Sequence, residues 1–319
     1  MSTMAEVDGP YDAPLSALIG DAFVRLDTRL REHAPTLATH TEAWMRALAR
    51  GAPPPTYFTH PQAFPMLLLP WWLEGRIGGP RDLPFDGDLI YSTIAGYYAV
   101  RMVDELMDRD RPPDATAIPA LICFQVEFQL ALQRHFPADH PFWAAFTGGT
   151  FDSAEMASVD AGLTAIDRDR FVAISARKVA GARLPLQAVA HHRGRTDQIA
   201  PWSALVDLLG CWHQMANDIQ GWHRDLASGR ATYFLTEGAA RTGNASAIPA
   251  WVVDEGLAWG IAQLDDWMDE LIAAAERLEC PPLAAYLAGR ARTAADEWRA
   301  LAPSLAAVQG IARSFGATD

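Results

Sequence analysis

Apolar residues recur every three or four positions along most of the chain, which is the spacing of helix faces and not of strands. The clearest case is residues 15–30, where the apolar positions keep helical spacing throughout. The same pattern predicts helices over residues 41–50, 89–108, 118–136, 202–228, 251–278 and 283–301. No segment shows convincing strand alternation, so the pattern predicts an all-α protein.

Prolines and glycines divide these helices. They predict a proline-broken helix over residues 61–75, and loops over residues 78–88, 137–150 and 236–249. Residues 151–189 read as one helix interrupted where Gly181 and Pro185 fall. The organisation expected is a flexible N-terminus of residues 1–12, followed by a single helical-bundle domain over residues 13–319 with a central apolar cavity.

Composition narrows the possible functions. The chain has 319 residues, is 50% hydrophobic and carries a net charge of −13, so a nucleic-acid partner is not expected. Its three cysteines are widely spaced and form no CxxC pair, which fits a reducing compartment. No secretory signal is visible, and the longest apolar run is about half a membrane span. We therefore expect a cytoplasmic protein without stable membrane insertion.

One predicted helix carries an oxygen-rich face. Asn217, Gly221 and Asp225 are four residues apart, so they share a face, and His213 extends it by one turn. Asp218 lies beside this face and is able to swing towards it. An amide and a carboxylate therefore point the same way across a position without a side chain. Carboxylate and amide oxygens are ligands that suit Mg²⁺.

A second acidic pair lies upstream. Asp104 and Asp108 are four residues apart at the end of an apolar helix, and Tyr97 and Arg101 precede them on the same face. Two such faces in apolar helices predict hydrated Mg²⁺ ions held against a polyphosphate across one cavity. A third acidic group, at residues 265–270, has no basic partner or aromatic lining in the sequence and is interpreted as a solvent-exposed helix face.

Basic residues occur where a phosphate ligand needs them. Lys178 is the only lysine among 26 basic residues, which indicates either a need for a compact ammonium or a leftover of arginine-rich coding. Arg177 and Lys178 precede the break at Gly181, where unpaired backbone groups are expected; an ordinary kinked packing helix is the alternative. Gly229, Arg230 and Tyr233 follow the acidic helix.

These motifs together resemble the class I isoprenoid synthase superfamily of terpene cyclases, prenyl diphosphate elongases and squalene/phytoene synthases. Residues 104–108 are similar to its aspartate-rich first motif. Asn217, Gly221 and Asp225 are similar to the second motif of terpene cyclases, with glycine where a hydroxyl residue is expected. Arg177, four residues before Gly181, resembles the cyclases' diphosphate sensor. Lys178 also resembles an elongase lysine. Gln214, Asn217 and Asp218 are similar to the elongase FQxxDDxxD pattern, with Gly221 in place of its last Asp. Asp225, Gly229 and Arg230 are similar to the squalene/phytoene segment that ends in GRxY, with the Tyr one residue late.

The resemblance implies a Mg²⁺-dependent terpene synthase that ionises farnesyl or geranylgeranyl diphosphate, with three Mg²⁺ ions and a possible homodimer. It implies metal ligands at Asp104, Asp108, Asn217, Asp218 and Asp225. It implies diphosphate-binding residues at Arg177, Lys178, Arg224, Arg230 and Tyr233, and cavity residues at Tyr97, Gly181, His213 and Gly221. Two alternatives stay open: a prenyltransferase of the squalene/phytoene or chain-elongating type, and a non-catalytic helical binding protein.

Overall fold

The computed structural model describes residues 9–108 and 116–316, without the side chains of Asp108, Trp298, Ala300 and residues 301–316. These residues form helices and turns and contain no strand, which confirms the all-α prediction. The helices in chain order are α1 (Ala13–His33), α2 (Pro35–Leu48), α3 (Thr56–Thr59), α4 (Leu68–Ile77), α5 (Leu83–Asp108), α6 (Ala117–Leu132), α7 (Phe142–Ala161), α8 (Arg168–Lys178), α9 (Leu184–His192), α10 (Ile199–Ser228), α11 (Tyr233–Thr242), α12 (Ile248–Trp251), α13 (Leu257–Arg277) and α14 (Pro281–Gly316).

The chain divides into two compact units. The first comprises Met1–Gly148 and Gly181–Ile199, and the second comprises Gly149–Ala180 and Ala200–Asp319. The sequence-based expectation of one domain over residues 13–319 stays a prediction. None of the helices in the described ranges combines the length and the apolar character that a membrane crossing needs.

In the first unit α5 packs against α6 and α1, and α4 packs against α9. Gly96 of α5 allows the close approach to α6, because a Cβ at this position would lie 2.8 Å from the Phe128 ring. Tyr91, Tyr98 and Phe124 are almost fully buried in this core. Burial of such large apolar surfaces is the main term that stabilises a helical unit.

In the second unit aromatic side chains fill the space between α8, α11 and α13. Phe171 stacks on Tyr233 with ring centroids 5.1 Å apart and on Trp267 at 5.6 Å. Trp251 lies between two glycines, Gly238 and Gly256, where an added Cβ would come within 2.7 Å of its ring. Gly256 ends a π-helical turn, Val252–Gly256, which joins α12 to α13.

Three segments predicted as loops are partly helical, and at two of them a side-chain cap starts a helix that apolar spacing does not indicate. Asp82 accepts a hydrogen bond from the Phe85 backbone N–H at 3.2 Å and caps the start of α5. Thr232 accepts one from the Leu235 N–H at 3.2 Å and caps α11. Helix α7 begins at Phe142 and continues through Gly148, so this glycine is tolerated inside a helix.

Candidate functional site

The second unit brings α8 and α10 into close contact. A Cβ on Gly210 of α10 would lie 2.5 Å from Val179 Cγ2 and 3.2 Å from the Ser175 carbonyl oxygen. Only a residue without a side chain permits this approach. The C-terminal turn of α8, which ends at Lys178, is thereby fixed beside the middle of α10.

The helix break after α8 is present where the sequence predicted it. Helix α8 ends at Lys178, a 3₁₀ turn follows at Ala180–Arg183, and Pro185 lies in the first turn of α9. The Ser153 hydroxyl of α7 donates a short hydrogen bond to the carbonyl oxygen of Lys178. This bond satisfies one of the carbonyls that a helix end leaves without an intrahelical partner. Gly181 lies in the 3₁₀ turn.

Lys178 lies beside acidic groups, and we call Lys178, Asp160, Asp218, Asp225 and Arg230 the Lys178 cluster. The Lys178 ammonium donates a hydrogen bond to Asp160 Oδ2 at 2.7 Å, and Arg230 Nη2 lies 3.8 Å from the same oxygen. The side chains of Lys178 and Asp160 are 22% and 14% exposed. Asp160 therefore lies next to two of the predicted diphosphate-binding cations.

Asp218 is the buried carboxyl group of this cluster. Its residue is 3% exposed, and it accepts a hydrogen bond from Gln214 Nε2 at 2.8 Å. Burial raises the pKa of Asp218 to about 7, and the charges of Asp225 and Asp160 act in the same direction. The Gln214 hydrogen bond and the Lys178 charge oppose this rise in the pKa. A cation close to Asp218 would therefore favour the ionised form of this carboxyl group.

The helix face predicted from the four-residue spacing of Asn217, Gly221 and Asp225 is not the buried face of α10. Asn217 is exposed, whereas Asp218 and Gly221 are buried. Gln214, Asp218, Gly221 and Asp225 follow one another at intervals of four, three and four residues, so they share a helix face. The role of Asn217 as a metal ligand stays a prediction, and the buried face carries Asp218 in its place.

The position of Gly221 is lined by two charged side chains. Asp225 Oδ2 lies 3.2 Å and Arg224 Nη2 3.3 Å from the place of an added Cβ. The predicted gap between Asn217 and Asp225 is therefore occupied by the ends of Asp225 and Arg224. At the end of the helix Gly229 has a φ of 72°, and the Arg230 N–H donates to the Asp225 carbonyl at 2.9 Å. This C-terminal turn directs the chain to Arg230.

Tyr233 is buried and His213 is half-buried among other side chains. Burial holds the pKa of His213 well below its usual value, and the charge of Arg290 lowers it further. Tyr233 is 5% exposed, and its ring packs against Phe171 and Trp259. Burial also raises the pKa of the Tyr233 hydroxyl. At neutral pH the structure therefore favours a neutral imidazole and a neutral phenol at these two positions.

Arg177 forms a separate ion pair. Its Nη2 atom lies 2.6 Å from Asp152 Oδ1, and the two side chains are 46% and 44% exposed. Exposed pairs of this kind contribute little to stability, about 0–1 kcal/mol. Arg177 is therefore accessible to another anion at small cost.

In the first unit the end of α5 places Asp104 in a polar group of its own. Arg101 Nη1 lies 3.5 Å from Asp104 Oδ2, and Arg101 Nη2 lies 3.6 Å from Glu105 Oε1. Trp44 Nε1 donates a hydrogen bond to Glu105 Oε2 at 2.8 Å. The hydroxyl of Tyr97, which was predicted on the same face, lies 3.1 Å from that of Tyr57. The side chain of Asp108 lies outside the described residues.

Sequence reasoning missed the acidic residues of α7. Asp152 and Asp160 are eight residues apart, two helical turns, and pair with Arg177 and Lys178. That spacing is visible in the sequence, but it does not show which cation each carboxylate pairs with. The partnership of Glu105 with Trp44, which are 61 positions apart, has no signal in the local pattern.

The chain was compared with known proteins. It matches no family model and no curated protein at a significant level. Among solved structures it is similar to the crystal structure of T. brucei farnesyl diphosphate synthase, with a TM-score of 0.57 and 14% sequence identity. The match covers 86% of this chain and 96% of that chain. The chain therefore has the all-helical fold of isoprenoid synthases.

Proposed function

We propose that this protein is a class I terpene synthase, which ionises an allylic prenyl diphosphate in the presence of Mg²⁺ and releases diphosphate. The observation that carries the proposal is the Lys178 cluster. Within one unit it sets a lysine and an arginine beside the carboxyl groups of α7 and α10. Cations with nearby acidic oxygens are what a metal-bound diphosphate requires. The isoprenoid-synthase fold supports the same reading.

The carboxylates of the cluster suit a Mg²⁺ ion that keeps several of its water ligands. In the described part of the chain, no three His, Cys, Asp or Glu side chains converge on a metal position. Mg²⁺ does not need such a cage, because it keeps several waters and binds through one or two carboxylates plus substrate phosphates. We assign Asp218 and Asp225 as ligands in the second unit, and Asp104 in the first. The predictions for Asn217 and Asp108, and for three ions, are retained.

The cations of this chain bind and orient the diphosphate in the proposed reaction. Lys178 and Arg230 contact the leaving group, Arg177 senses it from the helix break, and Arg224 and Tyr233 are retained as further contacts. Mg²⁺ supplies charge neutralisation of the departing diphosphate. The predictions of an apolar cavity, which would exclude water, and of Tyr97 as an aromatic contact of the allylic cation are retained. No general base is assigned, because the released diphosphate accepts the final proton.

The test is incubation with farnesyl and geranylgeranyl diphosphates, with and without Mg²⁺. We expect diphosphate release and a hydrocarbon or alcohol product from one substrate alone, only when Mg²⁺ is present. Product chromatography and a phosphate assay measure the two outputs. Absence of Mg²⁺-dependent release with either substrate would contradict the proposal and favour a non-catalytic helical binding protein.

A chain-elongating or head-to-head prenyltransferase is the second candidate. Burial of Asp218, with its hydrogen bond from Gln214, favours it because these residues match the elongase pattern better than Asn217 matches the cyclase pattern. The experiment that separates the two adds isopentenyl diphosphate to the allylic substrate. A longer prenyl diphosphate formed only with both substrates identifies an elongase, and a dimeric C30 or C40 product from one substrate identifies the head-to-head type. The cytoplasmic location and the homodimer stay predictions.

A further inference from the structure

Asp160 occupies the position in the Lys178 cluster where an anionic ligand would bind. Its Oδ2 atom accepts the Lys178 hydrogen bond at 2.7 Å and lies 3.8 Å from Arg230 Nη2. A phosphate oxygen that bound both cations would have to lie between the same two groups. Asp160 and a diphosphate therefore compete for Lys178 and Arg230.

The charges around Asp160 strengthen this competition. Each of three predicted diphosphate-binding cations lies beside a carboxylate of α7: Lys178 and Arg230 beside Asp160, and Arg177 beside Asp152. Asp218 and Asp225 add acidic groups from α10 that act electrostatically on one another. An arriving diphosphate therefore finds cations whose charge is already compensated, in a partly buried place where like charges repel strongly.

The two pairs on α7 differ in exposure. Arg177 and Asp152 are each nearly half exposed, so water screens their interaction. Asp160 is 14% exposed and Lys178 22%. Opening the Lys178 pair is therefore the more costly step, and it is the step that controls binding of an anion to the cluster.

We propose that Asp160 is an internal counter-anion of the diphosphate site, which holds Lys178 and Arg230 until a metal-bound diphosphate displaces it. The proposal rests on the proposed function, because it takes Lys178 and Arg230 to be diphosphate ligands. It makes Asp160 a positioning residue that sets the dependence of diphosphate binding on Mg²⁺. Free diphosphate binds poorly while Asp160 carries its charge, and the complex with Mg²⁺ binds because the metal offsets the repulsion.

The test is calorimetric titration of the full chain with inorganic pyrophosphate, with Mg²⁺ and with EDTA. For Asp160→Asn we expect metal-free pyrophosphate to bind about tenfold more tightly than to the wild type, with a smaller gain from Mg²⁺. Asp160→Ser removes the same charge with a smaller side chain and should reproduce the gain. Asp266→Asn is the matched control, since it makes the same charge change on an exposed position of α13 and should leave the affinity unchanged.

Unchanged or weaker metal-free binding in both folded Asp160 variants would overturn the inference. Lys178→Gln, made in the wild type and in the Asp160→Asn background, separates this outcome from failure of the proposed function. If Lys178→Gln abolishes the gain, the competition is at Lys178, as proposed. If Lys178→Gln leaves pyrophosphate binding unchanged with and without Mg²⁺, Lys178 is not a diphosphate ligand and the functional assignment of the cluster is wrong.

Discussion

Val179 Cγ2 of the α8 C-terminal turn lies 2.5 Å from the place that a Cβ on Gly210 would occupy. The Ser175 carbonyl, a backbone atom that cannot rotate away, lies 3.2 Å from the same place. Gly210→Ala should therefore lower the free energy of unfolding by about 1–3 kcal/mol, the usual cost of overpacking. Urea unfolding followed by circular dichroism measures this change.

Gly148→Ala is the matched control for Gly210→Ala, because both glycines lie inside helices and an added Cβ at Gly148 meets no described atom within 4 Å. We expect it to be neutral or to stabilise the protein by up to about 1 kcal/mol, since alanine has the higher helix propensity. If the two alanine variants have the same stability, α8 and α10 do not approach as closely as described.

The single lysine gives a direct probe of the Lys178 cluster. Reductive ¹³C-methylation should yield one lysine side-chain resonance from Lys178, besides that of the terminal amine, because the chain has no other lysine. Addition of Mg²⁺ and pyrophosphate should shift the lysine resonance, since the ammonium exchanges the Asp160 carboxylate for a phosphate oxygen. The NMR spectrum of Lys178→Arg, which lacks this signal, assigns it. A resonance that pyrophosphate does not move would exclude contact.

Asp218 and Asn217 are neighbours in sequence with opposite exposure, so their variants should differ. Asp218→Asn should lower kcat/KM by about 100-fold or more, because it removes a buried carboxylate proposed to bind Mg²⁺. Asn217→Ala should lower it by about tenfold or less. Steady-state kinetics at several Mg²⁺ concentrations measures both changes. The reverse order would support the terpene-cyclase motif as the sequence predicted it.

At the end of α5, Asp104 and Glu105 should also behave differently. Asp104→Asn should lower kcat/KM by about 100-fold, in keeping with its proposed role as a ligand. Glu105→Gln should mainly lower stability, by about 1 kcal/mol, because Glu105 binds Trp44 and Arg101 within the unit. Kinetics and thermal unfolding of both variants distinguish these effects, and full activity of Asp104→Asn would contradict its proposed role as a ligand.

The helices were predictable from the sequence because their buried apolar residues recur at helical spacing. Prediction failed where a single cap decides the start: Asp82 begins α5 and Thr232 begins α11, each through one side-chain hydrogen bond. The break after Lys178 was predictable because Gly181 and Pro185 disfavour a continuous helix.

The candidate site was only partly predictable. The residue types, and the fact that Lys178 is the single lysine of the chain, were available from the sequence. The exposure of Asn217 and burial of Asp218 depend on which face of α10 packs, and a spacing of four residues fits several faces of a long helix. Asp160 as the partner of Lys178 depends on how α7 lies beside the end of α8, a tertiary relationship without a local signal.

A buried acidic pair in the first unit predicts how stability depends on pH. Glu74 and Asp86 are 2% and 3% exposed, and Arg81 Nη1 lies 2.8 Å from Glu74 and 3.8 Å from Asp86. Burial, with the hydrogen bond and the charge of Glu74, raises the pKa of Asp86 to about 8. The native state therefore binds a proton that the unfolded state releases near pH 4, so stability falls as pH rises from about 4 to 8.

Asp86→Asn removes this ionisation. The free energy of unfolding of the variant, relative to that of the wild type, should therefore increase from pH 5 to pH 9 by on the order of 3 kcal/mol. Urea unfolding at the two pH values measures the difference. Asp21→Asn, an exposed position in the same unit, is the control and should follow the wild type at both. If the free energies of unfolding of the variant and of the wild type change equally between the two pH values, Asp86 ionises normally and Arg81 compensates its charge in full.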